Sequence, residues 1–232
     1  MERRITTTED GSHTLYVPEL EEHFHSTHGA IRESEHVFIQ QGLLKCPLQT
    51  ITILEVGFGT GLNALLTLAN KDDKTIHYIS IEKFPLEKEE YLQLNYPRLI
   101  NNNLHEAFEN MHQCAWEQPI EIAPGFFLTK LNADLLEISF DQFPAFNLIY
   151  FDAFAPNKQP EMWQENIFEK IALHTATQGL FVTYCAKGEV RRSLARCGFT
   201  MSRLPGPPGK KEMLFGQKTT SANSVSKNPL SS

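Results

Sequence analysis

Between residues 49 and 216 the apolar positions follow two rhythms that take turns. Short β-branched or aromatic runs at 51–56, 75–82, 126–131, 146–152, 180–184, 199–204 and 213–216 read as strands. The segments 61–70, 86–94, 160–173 and 188–197 instead repeat apolar residues three and four apart, as one face of a helix does. This alternation predicts an α/β fold, an open and mostly parallel sheet covered by helices. Residues 101–125 are poorly periodic and read as a helix plus loop. Ahead of this pattern, residues 1–48 read as an N-terminal extension packed on the core, with a hairpin over 5–17 turning at Asp10-Gly11. Residues 217–232 hold few apolar anchors and predict a disordered tail.

The junction of the first strand and helix of the main region carries the strongest chemical signal. Gly57, Gly59 and Gly61 lie between the run ending at Val56 and the helical face Leu62, Leu65, Leu66 and Ala69. Such glycines accept positive φ and let a ligand approach the main chain, and the helix start behind them offers unpaired N–H groups. A nucleotide-cofactor cradle is expected here. The next strand ends in Glu82, 21 residues beyond Gly61, where a carboxylate can bind ribose hydroxyls; an acid capping the turn before Pro85 is the alternative. Asp134 follows the third strand and could cap a helix at Leu135-Leu136. The run 146–152 delivers Asp152 to its carboxyl end, where ligands of open α/β sheets bind and where a charge needs a partner.

Composition narrows the setting. A chain of 232 residues suits one sizeable core, and no apolar run is long enough to span a membrane. The N-terminus lacks the apolar segment of a secretory signal, so a cytoplasmic location is expected. Cys46, Cys114, Cys185 and Cys197 form no Cys-x-x-Cys pair, and the nine histidines form no His-Glu-x-x-His, so reduced thiols and no metal are expected. The net charge of -7 argues against a polyanionic partner, but it is segregated. Residues 187–211 carry seven cations against Glu189 alone, a net +6 that leaves -13 for the rest. Arg192 and Arg196 stand four apart on a helix, a like-charge pair that an anion would relieve; a solvated helix face is the alternative.

NAD enzymes share the strand, glycine loop and following acid, but Glu55-x-Gly-x-Gly-x-Gly61 resembles the motif of class I S-adenosylmethionine-dependent methyltransferases. That fold is Rossmann-like, with a mostly parallel sheet and an antiparallel C-terminal strand. The resemblance implies cofactor contacts at Glu55, Gly57, Phe58, Gly59, Gly61, Asn63, Glu82 and Lys83, with Asp134 beside the adenine. After the fourth strand this chain has Asp152-Ala-Phe-Ala-Pro156, where methyltransferases of weakly basic amino groups often resemble Asn-Pro-Pro-Tyr. A carboxylate suits an aliphatic amine, whose nitrogen gains positive charge as it attacks a sulfonium methyl group. With reference pKa values near ~4 for Asp and ~10 for an alkyl ammonium, proton transfer is uphill by roughly six units, or about 8 kcal/mol. Orientation and charge stabilisation are therefore expected of Asp152 before general-base catalysis.

Glu55-Val-Gly-Phe-Gly-Thr-Gly-Leu-Asn63, Glu82-Lys-Phe-Pro85, the stretch from Asp152 to Met162-Trp163 and Gly206-Pro-Pro-Gly-Lys-Lys-Glu-Met213 together resemble the methyltransferase half of the MnmC family and its stand-alone relatives. The likeness covers about residues 10–216, with Glu33-Ser34 near the cofactor mouth. It implies methylation of the aminomethyl group of 5-aminomethyl-(2-thio)uridine at the tRNA wobble position, with Asp152 catalytic. Phe154, Lys158, Arg191, Arg192, Arg196, Lys210 and Lys211 are the expected contacts to the tRNA anticodon loop, and Trp163 is expected in the core. No second dinucleotide motif follows residue 216, so a separate FAD-dependent oxidase is the expected upstream partner. The rivals are a small-amine methyltransferase or aminopropyltransferase of the same fold, a non-catalytic tRNA-binding module, and an NAD dehydrogenase.

Overall fold

The computed structural model describes residues 2–219. Strands β1 (Arg4–Thr7) and β2 (His13–Val17) pair antiparallel around the Asp10-Gly11 turn, where Gly11 takes a φ of 83°. The two-residue β3 (Glu22–His23) extends this small sheet, and α1 (Ala30–Ser34) runs on into a π-helical stretch, Glu35–Gln40. Leu15, Ala30, Val37, Phe38 and Leu43 are buried in the same cluster as Ile51, Ile53 and Leu65, so the first 48 residues share the core of the main sheet.

The main sheet follows from the apolar runs. In chain order come β4 (Thr50–Val56), α2 (Leu62–Ala69), β5 (Thr75–Ile81), α3 (Lys88–Tyr91), α4 (Tyr96–Ile100), α5 (His105–Gln113), β6 (Ile120–Ala123) and β7 (Phe126–Leu131). Then come β8 (Phe146–Phe151), α6 (Glu165–Leu173), β9 (Thr175–Thr183), α7 (Gly188–Arg196), β10 (Phe199–Pro205) and β11 (Glu212–Lys218). The strand order is β10-β11-β9-β8-β4-β5-β7-β6. The five strands from β9 to β7 are parallel, while β6, β10 and β11 join antiparallel. The central strands are buried on both faces, as parallel strands under helices must be. Chain order reverses between β4 and β8, and that switch point opens a crevice at their carboxyl ends. Among the described residues no helix is long and apolar enough to cross a membrane.

Several elements depart from the sequence reading. The expected helix 160–173 is a 3-10 turn, Pro160–Trp163, followed by a break at extended Gln164 that starts α6. The expected helix 86–94 is the single turn α3, because Pro97 starts the separate helix α4. Strand β9 begins at Thr175, five residues before its apolar half, across a register shift against β8. Residues 101–125 hold α5 and also the edge strand β6. Gln217 and Lys218, expected in the tail, pair with Leu180 and Phe199; residues 220–232 lie outside the described residues.

Candidate active site

The turns after β4, β5 and β8 converge on a cavity of about 580 Å³. Gly57, Gly59 and Gly61 all take positive φ, at 91°, 51° and 73°. A Cβ added at Gly57 would sit 3.0 Å from the Asp152 carbonyl oxygen, so the bare backbone lets the turns after β4 and β8 close on one another. The loop is hung on β5: Gly57 N–H and Phe58 N–H both donate to Ile81 O, at 3.0 and 3.2 Å. It is propped from below by His112, whose Nε2 bonds Thr60 O at 3.2 Å while its ring stacks on Tyr91 at 4.3 Å. Burial pushes the His112 pKa down to about 3, with Lys130 adding to the effect, so the ring is neutral and donates through Nε2. Sequence reasoning missed this prop, because α5 lies in a poorly periodic stretch where a single histidine carries no pattern.

Glu82 accepts Gly59 N–H at 2.9 Å and Phe84 N–H at 2.8 Å, one on each carboxylate oxygen. Each oxygen keeps a lone pair that a ribose hydroxyl can use. Lys83 and Asp134 also line the cavity and pair at 2.7 Å. The Lys83 hydrogen bond and the Leu136 amide hold the Asp134 carboxyl below its usual range, and that amide contact is the local turn-capping role the sequence allowed. Glu55 differs from expectation. It is fully buried beneath the cavity, does not line it, and accepts Ser80 Oγ at 2.6 Å. Burial raises its pKa to about 8. A cradle of three bare glycines beside the Glu82 carboxylate, with lone pairs to spare, fits an adenosine cofactor.

Asp152 follows β8 and faces the same cavity. Asn63, in the first turn of α2, donates Nδ2 to Asp152 Oδ2 at 2.9 Å. Burial pushes the Asp152 pKa up to about 7; Asn63 and Lys210 pull the other way and Glu33 pushes with burial. The loop behind Asp152 is strapped at two points. Trp163 Nε1 donates to Phe154 O at 2.7 Å and Tyr184 Oη donates to Ala153 O at 2.8 Å. Trp163 is thus in the core, packed on Phe151 at 4.9 Å, and the Met-Trp part of the motif anchors the Asp-Ala-Phe-Ala-Pro part.

The opposite wall comes from the N-terminal segment. Residues 22–27 and Glu33 line the cavity, and Phe24 meets Phe154 edge to face at 5.2 Å. Phe58 lines it too, against His112. The dense run His23-Phe-His-Ser-Thr-His was the available signal for this wall, but it had no spacing that named a chemistry.

The basic residues divide. Lys210 turns inward, 2.5 Å from Glu33 Oε1 and 3.8 Å above the Tyr184 ring, which corrects the expectation of a surface cation. Arg196 is paired with Glu165 through Nε at 2.9 and 3.0 Å and through Nη2, so a protein carboxylate rather than a ligand relieves the Arg192/Arg196 repulsion. Lys158 lies outside the cavity, 3.7 Å from Glu21. Arg192 and Lys211 are exposed and Arg191 is half-buried. A Cβ at Gly188 would lie 3.2 Å from Arg192 Nη1 and 4.0 Å from Arg203 Nη2, so two guanidinium groups converge at the start of α7.

Comparison with known proteins agrees with this geometry. The family model of an S-adenosyl-L-methionine-dependent methyltransferase matches residues 102–219, a stretch that starts after the glycine loop and includes Asp152 and the 206–211 turn. The chain is 32% identical over 222 residues to the tRNA 5-methylaminomethyl-2-thiouridine biosynthesis bifunctional protein MnmC of Burkholderia multivorans, covering 88% of this chain and 33% of that protein. The MnmC of Hydrogenovibrio crunogenus is 28% identical, across 97% of this chain and 35% of its own length. The chain therefore spans about a third of the length of the curated relatives it matches. The crystal structure of MnmC2 from Aquifex aeolicus superimposes with a TM-score of 0.73 at 26% identity, covering 93% of this chain and 70% of that one. The chain belongs to the S-adenosyl-L-methionine-dependent methyltransferases, in the family of the MnmC methyltransferase domain, and S-adenosyl-L-methionine is its cofactor.

Proposed function

We propose that this chain methylates the aminomethyl nitrogen on C5 of (2-thio)uridine at the tRNA wobble position, giving 5-methylaminomethyl-(2-thio)uridine. The observation that carries this reading is the Asp152 carboxylate, presented to the cofactor cavity by Asn63 and by the two straps on its loop. Glu82, Lys83, Asp134 and the loop of Gly57, Phe58, Gly59 and Gly61 hold the cofactor, with Asn63 and buried Glu55 shaping the floor beneath it. When bound, S-adenosyl-L-methionine supplies an electrophilic methyl group on sulfur.

Asp152 accepts a hydrogen bond from the amine, aims its lone pair and balances the positive charge that grows on nitrogen as the N–C bond forms. With its pKa near 7, the gap to an alkyl ammonium shrinks from roughly six units to about three, or about 4 kcal/mol. A general-base role for Asp152 is then within reach, beyond the orienting role expected from the sequence. Reaching a loop base requires splaying it out of its stack, which costs less than extracting it from a duplex. The exposed Arg192 and Lys211, with half-buried Arg191, form the face for the tRNA backbone. An FAD-dependent oxidase activity supplies the free amine, and the reaction takes place in the cytoplasm.

Labelled cofactor incubated with undermodified tRNA or with polyamines tests this reading. Label in 5-methylaminomethyluridine species supports it; label only in polyamines overturns it in favour of a small-amine methyltransferase.

A further inference from the structure

The cavity has one ion pair in its wall that the transfer of methyl does not need. Glu33 on α1 is 6% exposed, and its Oε2 is fixed by Ser26 N–H at 2.7 Å. Its Oε1 meets Lys210 Nζ at 2.5 Å, and that ammonium lies 3.8 Å over the Tyr184 ring. Glu33, Lys210, Tyr184 and Asp152 all line the same cavity. The two partners are 177 residues apart, and each is carried on a rigid mount. The 206–211 turn closes on itself through Gly206 N–H to Lys211 O at 3.1 Å and Lys210 N–H to Pro207 O at 2.9 Å. It is clamped to the N-terminal segment by His36 Nε2 bonding Pro205 O at 2.8 Å. Gly209, at a φ of 82°, packs so tightly on His28 that a Cβ would overlap the ring.

An ion pair in a partly dry wall loses hydration that its mutual attraction barely offsets, so as a mere brace it would be a poor choice beside two apolar side chains. As a recognition element it has a definite complement. One spare ammonium hydrogen beside carboxylate lone pairs matches a carbonyl next to an N–H. Uracil presents that pair, O4 beside N3–H, with O4 also next to the C5 substituent. Cytosine presents the reverse, an amino group beside a bare ring nitrogen. Phe24 and Phe154, 5.2 Å apart, give the aromatic surface that splayed bases rest on.

We propose that Glu33 and Lys210 read the Watson–Crick edge of the splayed base, Lys210 donating to O4 and Glu33 accepting from N3–H, and so restrict methyl transfer to uridine. The inference rests on the wobble-uridine reading and deepens it, naming the residues that choose the base. Asp152 then takes the aminomethyl group that lies beside O4.

Two synthetic anticodon stem-loops, with 5-aminomethyluridine or 5-aminomethylcytidine at the wobble position, test the assignment through kcat and KM. The wild-type protein is expected to favour the uridine substrate by roughly 10- to 100-fold, the discrimination of one well-placed pair of base-edge hydrogen bonds. Lys210→Met is expected to raise KM for uridine by about tenfold with kcat changed by less than about threefold, and to erase most of the preference. Glu33→Gln, which keeps the shape and offers a donor as well as an acceptor, is expected to narrow the preference too. Lys210→Arg is expected to recover part of it. Cofactor affinity of each variant, measured by calorimetry, reports that the cradle is intact. Wild-type KM and base preference retained in both Lys210→Met and Glu33→Gln would overturn the inference while leaving the function standing. A wild-type protein that methylates neither stem-loop would overturn the wobble-uridine reading itself and this inference with it.

Discussion

The wall formed by residues 56–63 and 81–84 is held within one strand-turn-helix-strand unit, chiefly by the N–H groups of Gly57 and Phe58 on the Ile81 carbonyl and of Gly59 on the Glu82 carboxylate. The facing wall, which carries Asp152, is held by side chains from remote parts of the chain: Trp163 and Tyr184 on the Asp152 loop, Phe24 on Phe154, and Glu33 on Lys210. The cofactor side is thus local and rigid by backbone geometry, and the acceptor side is assembled by tertiary contacts. A site built this way keeps its donor chemistry fixed while side-chain changes at a distance retune the acceptor.

The most forceful way to separate the two walls is Asp152→Asn. It is expected to lower kcat on the order of 10²- to 10⁴-fold with cofactor affinity nearly unchanged in calorimetry. Both profiles are expected to climb with pH as the substrate amine loses its proton, and the wild type alone to show a further inflection at about pH 7, where Asp152 ionises.

Glu55→Gln probes the floor shared by both walls. Burial keeps Glu55 protonated up to about pH 8 against an ordinary value of 4.5. The folded protein therefore holds a proton that the unfolded chain has released. Its stabilising contribution is whole below about pH 4.5 and is lost as pH rises through about 8. The neutral Gln removes that dependence, and denaturant titrations at pH 5 and pH 9 are expected to show a slope flatter by on the order of 3 kcal/mol over the interval.

Gly57→Ala strains the cofactor wall. Its φ of 91° strains any side chain and a Cβ would crowd Asp152 O at 3.0 Å, so a loss of about 1–3 kcal/mol is expected, seen as a lower Tm and weaker cofactor binding. Trp163→Phe loosens only the acceptor wall. It leaves the Phe154 carbonyl without its donor, at a cost of about 1–2 kcal/mol, and should depress kcat more than cofactor affinity. The smallest contrast is on the surface. Arg192→Ala is expected to reduce the salt dependence of tRNA binding by about one unit of slope, and Arg196→Ala, already neutralised by Glu165, to leave it unchanged. Equal effects from the two arginines would move the tRNA face away from the exposed side of α7.

Legibility in the sequence follows the same division. Strands β4, β5 and β8 and the glycine loop were readable because strands buried on both faces are continuous apolar runs and the motif is contiguous. The first half of β9 was not, because Thr175-Ala-Thr-Gln-Gly179 is polar and Gln178 sits at positive φ. The break at Gln164 was hidden because Trp163, Ile167 and Ile171 keep helical spacing across it. Asp152 was readable as a charge ending an apolar strand. Phe24, Tyr184 and the inward turn of Lys210 were not, since each acquires its meaning only from a residue far away in the chain.

The place of β11 between β9 and β10 sets an order of events during synthesis. By residue 183 the parallel strands, the cofactor cradle and Asp152 have all emerged, yet the outer edge of β9 stays bare until residues 214–217 arrive roughly thirty residues later. The hairpin that delivers them also brings Lys210. A nascent chain thus acquires the means to bind the methyl donor before it acquires the means to choose a base, and the edge that would invite mispairing with another chain closes at the moment that choice becomes available.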